Sequence, residues 1–245
     1  MPTPTLVSIP FSPWSIRAKL ALEAMGVPFA LRTYVPGVSE PRVRLELRRP
    51  VGRLTLPVLL HDGPPIDDSL AIVKWGSARS ERPLITAESS GAVEYWCRVA
   101  DRLLAAGRIR TTHKVLGDPD ALSESLPAFM QPLGPLGLAV GRAEAHRLLR
   151  KYDNGAGPAA QSARMREQLQ VIAEALGSRD TMLPEFSYAD VALAVGLSFV
   201  QPHRSHPLGA RARSCWTSDD LSAGFASLLE WRDRVYVEID RRRGR

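Results

Sequence analysis

Cysteine is scarce: the 245 residues hold only Cys97 and Cys215, and two thiols so far apart make no CxxC pair, no disulfide framework and no zinc site. That usage suits a reducing compartment. A run of roughly 18 uninterrupted apolar residues, which a membrane span needs, is also missing, as is a basic-then-apolar leader. The expectation is a soluble, unexported, cytoplasmic protein. Histidine is thin as well. His61 belongs to a turn around Asp62-Gly63, and His203 and His206 lie in a proline-flanked stretch with no third ligand, so no metal site is expected. The formal charge of +6 comes mostly from arginine, but there is no concentrated basic stripe of the kind nucleic acid requires. Only Arg241, Arg242, Arg243 and Arg245 cluster, at the end of the chain, where a frayed solvated tail is the expected form. Neither nucleic acid nor a membrane is expected as a partner, although a positive surface suits small anionic ligands.

What is present is an ordinary globular balance of 44% apolar and 24% charged residues, in a length that accommodates two modest cores. The first 80 residues alternate element types. Thr5 to Pro10 is rich in branched residues and reads as a strand. Ser12 stands at an N-cap with Pro13 at the first helical position, and Ile16, Leu20, Ala21 and Met25 recur at helical spacing until Gly26. A second strand at Phe29 to Tyr34, a loop with a short helix near Arg42 to Leu47, a third strand at Thr55 to Leu60, a fourth from Ile66 and a helix from Asp68-Ser69 through Trp75 come next. From Glu88 onward only helical patterns remain, near 90 to 116, 121 to 152, 160 to 176, 188 to 199 and 219 to 240. Pro and Gly pairs at 132 to 137 break or kink the second of these, and 154 to 160 reads as a flexible connector. Parallel strands joined by a helical crossover, then a hairpin and a closing helix, give the thioredoxin-like order. The predicted architecture is α/β plus all-α, with a thioredoxin-like domain at 1–80 and an all-helical domain at 88–245.

Three segments carry candidate chemistry, each with a plain structural alternative. Ser12-Pro13-Trp14-Ser15-Ile16-Arg17 puts a hydroxyl at a helix N-terminus, which favours negative charge, yet Ser followed by Pro is also simply a good helix start. Val51 to Leu59 contains Pro57, which by itself fits a proline in trans at a strand edge. Asp68 and Ser69 open a helix and, as bare sequence, are simply good capping residues. Elsewhere, Phe186-Ser187-Tyr188-Ala189-Asp190-Val191 has the spacing of a capping box with a hydrophobic staple. Cys97 falls on an apolar helical face and reads as a small buried residue, while Tyr95, Trp96 and Val99 pack a core or a subunit interface.

The first segment resembles the Cys-Pro-aromatic-Cys site of glutaredoxins with serine in both thiol positions. It looks more like the Ser-Pro-aromatic-x-x-Arg motif of serine-type glutathione transferases, notably the plant tau class, with cysteine-type omega enzymes as more distant relatives. The other two segments occur in that superfamily's order and separation. The resemblance implies Ser12 as the catalytic hydroxyl, with Ser15 as fallback, a cis Pro57, and Leu56 pairing its backbone with the cysteinyl part of glutathione. It implies Asp68 and Ser69 for the γ-glutamyl end and Arg53 as the nearest basic residue for the glycine carboxylate. The implied function is a detoxification-type transfer of reduced glutathione to an apolar electrophile, or its use in an isomerisation, by a homodimer. Without a thiol at Ser12 or Ser15, disulfide exchange through the protein is disfavoured. A non-catalytic binding or scaffold protein on the same fold is the alternative.

Overall fold

The computed structural model describes residues 3–127, 129–153 and 155–244. By compactness the chain divides into two units, one of residues 1–97, 180–195 and 234–245 and one of residues 98–179 and 196–233.

The first unit is built on a three-stranded sheet. Its central strand β1 (Thr5–Ser8) runs parallel to β2 (Ala30–Thr33) and antiparallel to β3 (Val58–Leu60). Val7 stands opposite Arg32 on one side and Val58 on the other. Between β1 and β2 lies helix α1 (Pro13–Ala24), the crossover that a parallel pair requires. It ends where the sequence indicates. Gly26 takes φ +68, its amide bonds the Glu23 carbonyl and the Val27 amide bonds the Leu22 carbonyl, the paired closure of a Schellman motif. Helix α2 (Glu40–Glu46) precedes β3, and α3 (Ser69–Ser77) succeeds it. A Cβ on Gly76 would meet Met25 Cε at 2.7 Å and Leu22 Cδ2 at 2.8 Å, so the missing side chain is what lets α3 approach α1 this closely. Val7, Tyr34, Val43, Leu47 and Val58 form a core cluster, joined by Ile9, Leu54, Leu56 and Leu60.

The expected fourth strand is reduced to a single bridge between Leu59 and Ile66. Pro64 and Pro65 remove ladder donors just before it, and the chain turns into the α3 cap just after. The remaining elements are helical: α4 (Ser90–Leu116), α5 (Pro119–Glu124), α6 (Pro135–Tyr152), α7 (Gly157–Leu176), α8 (Tyr188–Gly196), α9 (Ala210–Trp216), α10 (Asp219–Gly224) and α11 (Ala226–Arg243). The interruption expected near 132 to 137 widens to the interval between α5 and α6, which holds Pro127 and Pro132, and Pro135 then opens α6. The stretch expected as a helix over 219 to 240 divides at Phe225, whose φ of −131° and ψ of 37° are not helical. Helix α9 has no counterpart among the sequence expectations. Its seven residues give too few turns for an apolar period, and Pro207 and Gly209 mark the stretch as loop. Of the expected connector, residues 157 to 160 are the first turn of α7, while Asn154 lies outside the described residues.

The terminal arginines are not a frayed tail. Arg241, Arg242 and Arg243 close α11, where Arg241 and Arg242 bind Glu238 and hold its carboxyl down at about 2. The Arg242 carbonyl accepts from Arg82 Nη1 at 2.9 Å, and its guanidinium stacks 4.6 Å over Phe186. Arg245 lies outside the described residues.

The capping box is present in a buried form. Asp190, fully inaccessible, accepts from the Ser187 amide at 2.8 Å, the Ser187 hydroxyl at 3.1 Å and the Met182 amide at 2.6 Å. Burial pushes its carboxyl up from the usual aspartate value while these donors pull it down. Trp96 and Val99 are core residues, Tyr95 is exposed, and Cys97 and Cys215 are both buried, with the Cys215 thiol pushed up by burial.

In the second unit, Leu103, Leu104, Met165, Leu169, Ile172 and Trp231 are fully buried. Gly107 of α4 sits against Phe199, and a Cβ there would lie 2.4 Å from Phe199 Cβ. Neither atom has a rotamer with which to move aside. Gly107→Ala is expected to destabilise the protein by about 2 kcal/mol in urea titration, because overpacking costs about 1–3 kcal/mol or more and Ala's better helix propensity offsets about 1.

Candidate functional site

The pairing of Val7 with Val58 in antiparallel register places the segment after β1 and the segment before β3 at the same end of the sheet. The Ser12 turn and the Leu56-Pro57 step therefore share that end. Ser12 is the N-cap of α1 in an extended conformation (φ −73°, ψ 123°), its amide bonding the Ile9 carbonyl at 3.0 Å. Its side chain makes no capping bond. The half-buried hydroxyl is thus available at the positive end of the helix. Ser15 is differently used: it is 2% accessible, and its Oγ accepts the Ile9 amide at 3.1 Å, which fixes the turn leading to Ser12.

The Leu56-Pro57 peptide bond is cis. Pro57 is buried, and the Leu56 side chain packs on the core cluster that includes Val7 and Val58. Among the described residues, neither the amide nor the carbonyl of Leu56 has a hydrogen-bond partner. An extended peptide laid beside it would find both groups open.

Asp68 and Ser69 begin α3, as expected. Asp68 is the exposed N-cap, and its Oδ1 accepts the Ala71 amide at 2.8 Å. Ser69 is nearly buried, and its Oγ accepts two bonds from Arg17, from Nη2 at 2.8 Å and from Nε at 3.2 Å. A hydroxyl oxygen has two lone pairs and one hydrogen. With both lone pairs facing Arg17, the Ser69 hydrogen is left as a donor. The sequence showed Arg17 only as part of a motif. Its bond to a serine 52 residues away is a tertiary fact that no local spacing records.

Arg53 is exposed on the loop before β3. That loop is tied down by other arginines: Arg44 Nη2 donates to the Gly52 carbonyl at 3.1 Å, and Arg49 Nη1 pairs with Asp67 Oδ2 at 2.5 Å. Thr55 Oγ1 adds a bond to the Asp67 carbonyl at 3.2 Å. These bracing contacts were missed from sequence, where the arginines read only as dispersed charge. His61 stays in its turn, with Nδ1 accepting the Gly63 amide at 2.9 Å. Among the described residues no three His, Cys, Asp or Glu side chains gather as a metal site would require, and no helix is long and apolar enough to cross a membrane.

Residues 6–83 match the family model of the glutathione S-transferase N-terminal domain. No curated protein sequence matches the chain. Among solved structures, the chain is similar to a glutathione S-transferase of Methylobacterium radiotolerans, crystallised with glutathione sulfonate, at 21% identity and a TM-score of 0.59, covering 96% of this chain and 90% of that one. A glutathione S-transferase of Methylobacillus flagellatus with glutathione bound is 18% identical over 98% of each chain, TM-score 0.58. A glutathione transferase of Phanerochaete chrysosporium is 17% identical over 96% of this chain and 98% of that one, TM-score 0.63. At such identities the structures carry the fold. Residues 6–83 are a glutathione S-transferase N-terminal domain, with a largely helical region after it. The chain thus joins a segment that matches that family's N-terminal domain to a fold shared, along nearly its whole length, with crystallised glutathione S-transferases.

Proposed function

We propose that the protein is a glutathione transferase in which Ser12 stabilises the glutathione thiolate. The observation that carries this reading is a Ser12 hydroxyl free of capping duty at the N-terminus of α1, at the same sheet end as the cis Leu56-Pro57 step. The tripeptide's cysteinyl residue would pair with the open amide and carbonyl of Leu56, its γ-glutamyl carboxylate would accept from the Ser69 hydroxyl, and its ammonium would donate to Asp68. Arg53, exposed on the loop before β3, would meet the glycine carboxylate. Crystallised relatives that hold glutathione or its sulfonate support the choice of ligand.

Bound this way, the thiol loses its proton to solvent and the thiolate sulfur accepts the Ser12 O–H bond. The sulfur then attacks the electrophilic carbon, a C–S bond forms and the leaving group departs with its electron pair. Ser12 is a donor and not a nucleophile, since among the described residues Ser12 has no His partner of the kind a hydrolase would require. Ser15 is a weaker candidate because its oxygen is buried and accepts the Ile9 amide. The electrophile is an apolar small molecule, and a homodimer is the assembly the family resemblance implies.

Calorimetric titration with reduced glutathione tests the ligand. Saturable binding is expected in the wild type, weakened about ten- to a hundredfold in Asp68→Asn. The asparagine keeps an oxygen for the Ala71 amide but loses the charge that meets the ammonium, and a charge-assisted hydrogen bond contributes about 1.5–3 kcal/mol. No saturable heat at concentrations well above about 1 mM glutathione would remove the tripeptide as substrate and leave a non-catalytic protein on this fold.

A further inference from the structure

The second unit contains a cavity of about 340 Å³ lined by Arg110, His113 and Lys114 of α4 and by Pro158, Ala159 and Ser162 of α7. Three features make it unlike an ordinary surface cleft. Arg110 is 4% accessible, yet among the described residues it makes no ion pair with a carboxylate. Its Nη2 donates to the carbonyls of Phe199 at 2.9 Å and Trp216 at 3.1 Å, while its buried Nε has no hydrogen-bond partner. Buried guanidinium groups are ordinarily paired, because desolvation of an uncompensated charge is costly. Burial lowers the Arg110 pKa from its usual value, with the more distant Asp220 and Asp219 acting in the opposite sense, and arginine remains charged regardless.

Lys114 is exposed, with one bond from Nζ to the Thr217 carbonyl at 3.2 Å, so two of its three N–H donors remain. His113 Nε2 lies 3.0 Å from Asp153 Oδ2, which among the described residues is a carboxylate paired with a lining residue. The third feature is the opposite wall, which is the start of the 20-residue helix α7. Its N-cap, Ala156, has no side-chain acceptor to offer, and the Ala159 amide has no helical carbonyl four residues back. That wall contributes the positive end of a helix dipole and the Ser162 hydroxyl.

We propose that this cavity binds a phosphate group, with Arg110 and Lys114 supplying charge and the start of α7 with Ser162 supplying neutral donors. The lining residues come from two helices, and together they carry several donors of the kind a tetrahedral oxyanion with several acceptor oxygens would use. The volume exceeds that of a bare ion and falls in the range of small-molecule pockets, about 300–1,000 Å³, so a phosphate monoester with an organic remainder fits better than inorganic phosphate. The site is independent of the glutathione reading, because every residue in it belongs to the second unit.

Calorimetric titration of the full chain with inorganic phosphate and with phenyl phosphate provides the test, with Lys114→Glu as the variant because that side chain is exposed and its replacement spares the fold. Saturable binding of at least one probe near or below about 1 mM, weakened about tenfold or more in Lys114→Glu with the thermal midpoint retained, is the expected result. Tighter binding of phenyl phosphate identifies a monoester as the preferred form, and tighter binding of inorganic phosphate identifies the free ion; both support the site. Absence of saturable binding by either probe overturns the proposal, as does binding that Lys114→Glu leaves unchanged.

Discussion

Ser12→Ala is expected to lower kcat/KM for glutathione conjugation at neutral pH by about 10- to 150-fold, the rate equivalent of losing about 1.5–3 kcal/mol from a hydrogen bond to a charged group. A glutathione thiol with an ordinary pKa near 8.5 must fall by about two units to be mostly ionised at neutral pH, which requires roughly 3 kcal/mol. The Ser12 donor supplies about half or more of this and the α1 terminus about 0.3–2. Removing the hydroxyl therefore raises the apparent pKa of the bound thiol by about one to two units. Because the thiolate is the reactive form, activity lost at pH 7 should be partly recovered at alkaline pH. The check is a pH profile of kcat/KM together with thiolate absorbance of the binary complex. Calorimetric affinity for glutathione should change little at acidic pH, where the neutral thiol is bound, and weaken at alkaline pH, where the bound thiolate has lost its donor. An unaltered profile in Ser12→Ala would remove Ser12 from the chemistry and leave Ser15 to be tested.

The largest stability loss is expected at a residue that touches no ligand. Asp190→Ala leaves two backbone amides and one hydroxyl without their acceptor in a region where Asp190 itself has no solvent exposure. Each buried unsatisfied donor costs about 1–3 kcal/mol, so a total of about 3–5 kcal/mol is expected once some relaxation and water entry are allowed. That is a large part of the roughly 5–15 kcal/mol typical of folded proteins. Urea titration should show a much lower midpoint, or an unfolded chain at 37 °C. Asp190→Asn should fall between wild type and Asp190→Ala, since its oxygen can receive one or two of the donors while its NH₂ opposes another.

The elements that were legible in the sequence are those whose cause is local. Helix α1 has a serine at the N-cap position, a first-turn proline and a terminating glycine within 15 residues, and α4 was legible as a helical pattern near 90 to 116. The Ser187 to Asp190 box was readable for the same reason, since its bonds span three residues. Signals failed where two causes competed. Ile66 has the branched side chain of a strand residue, but Pro64, Pro65 and the Asp68 cap leave it room for only one bridge. Helix α9 is short, and its first-turn Ala212 amide is capped by Glu124, 88 residues earlier, a partner no local pattern could supply. In the candidate site, Ser12, Pro57, Asp68 and Ser69 could be located from motif order. The lock that Arg17 places on Ser69 and the brace between Arg49 and Asp67 could not, because both join segments distant in sequence.

The order of synthesis bears on the first unit unevenly. Its sheet and first three helices leave the ribosome early, but the same unit takes in residues 180–195 and 234–245. Leu84 waits for the amide of Tyr188, and the guanidinium of Arg82 waits for the carbonyl of Arg242. At about 5–20 residues per second, the half that carries the candidate site spends on the order of ten seconds or more lacking its final contacts while the rest is translated. Vectorial synthesis therefore delivers this unit first and completes it last.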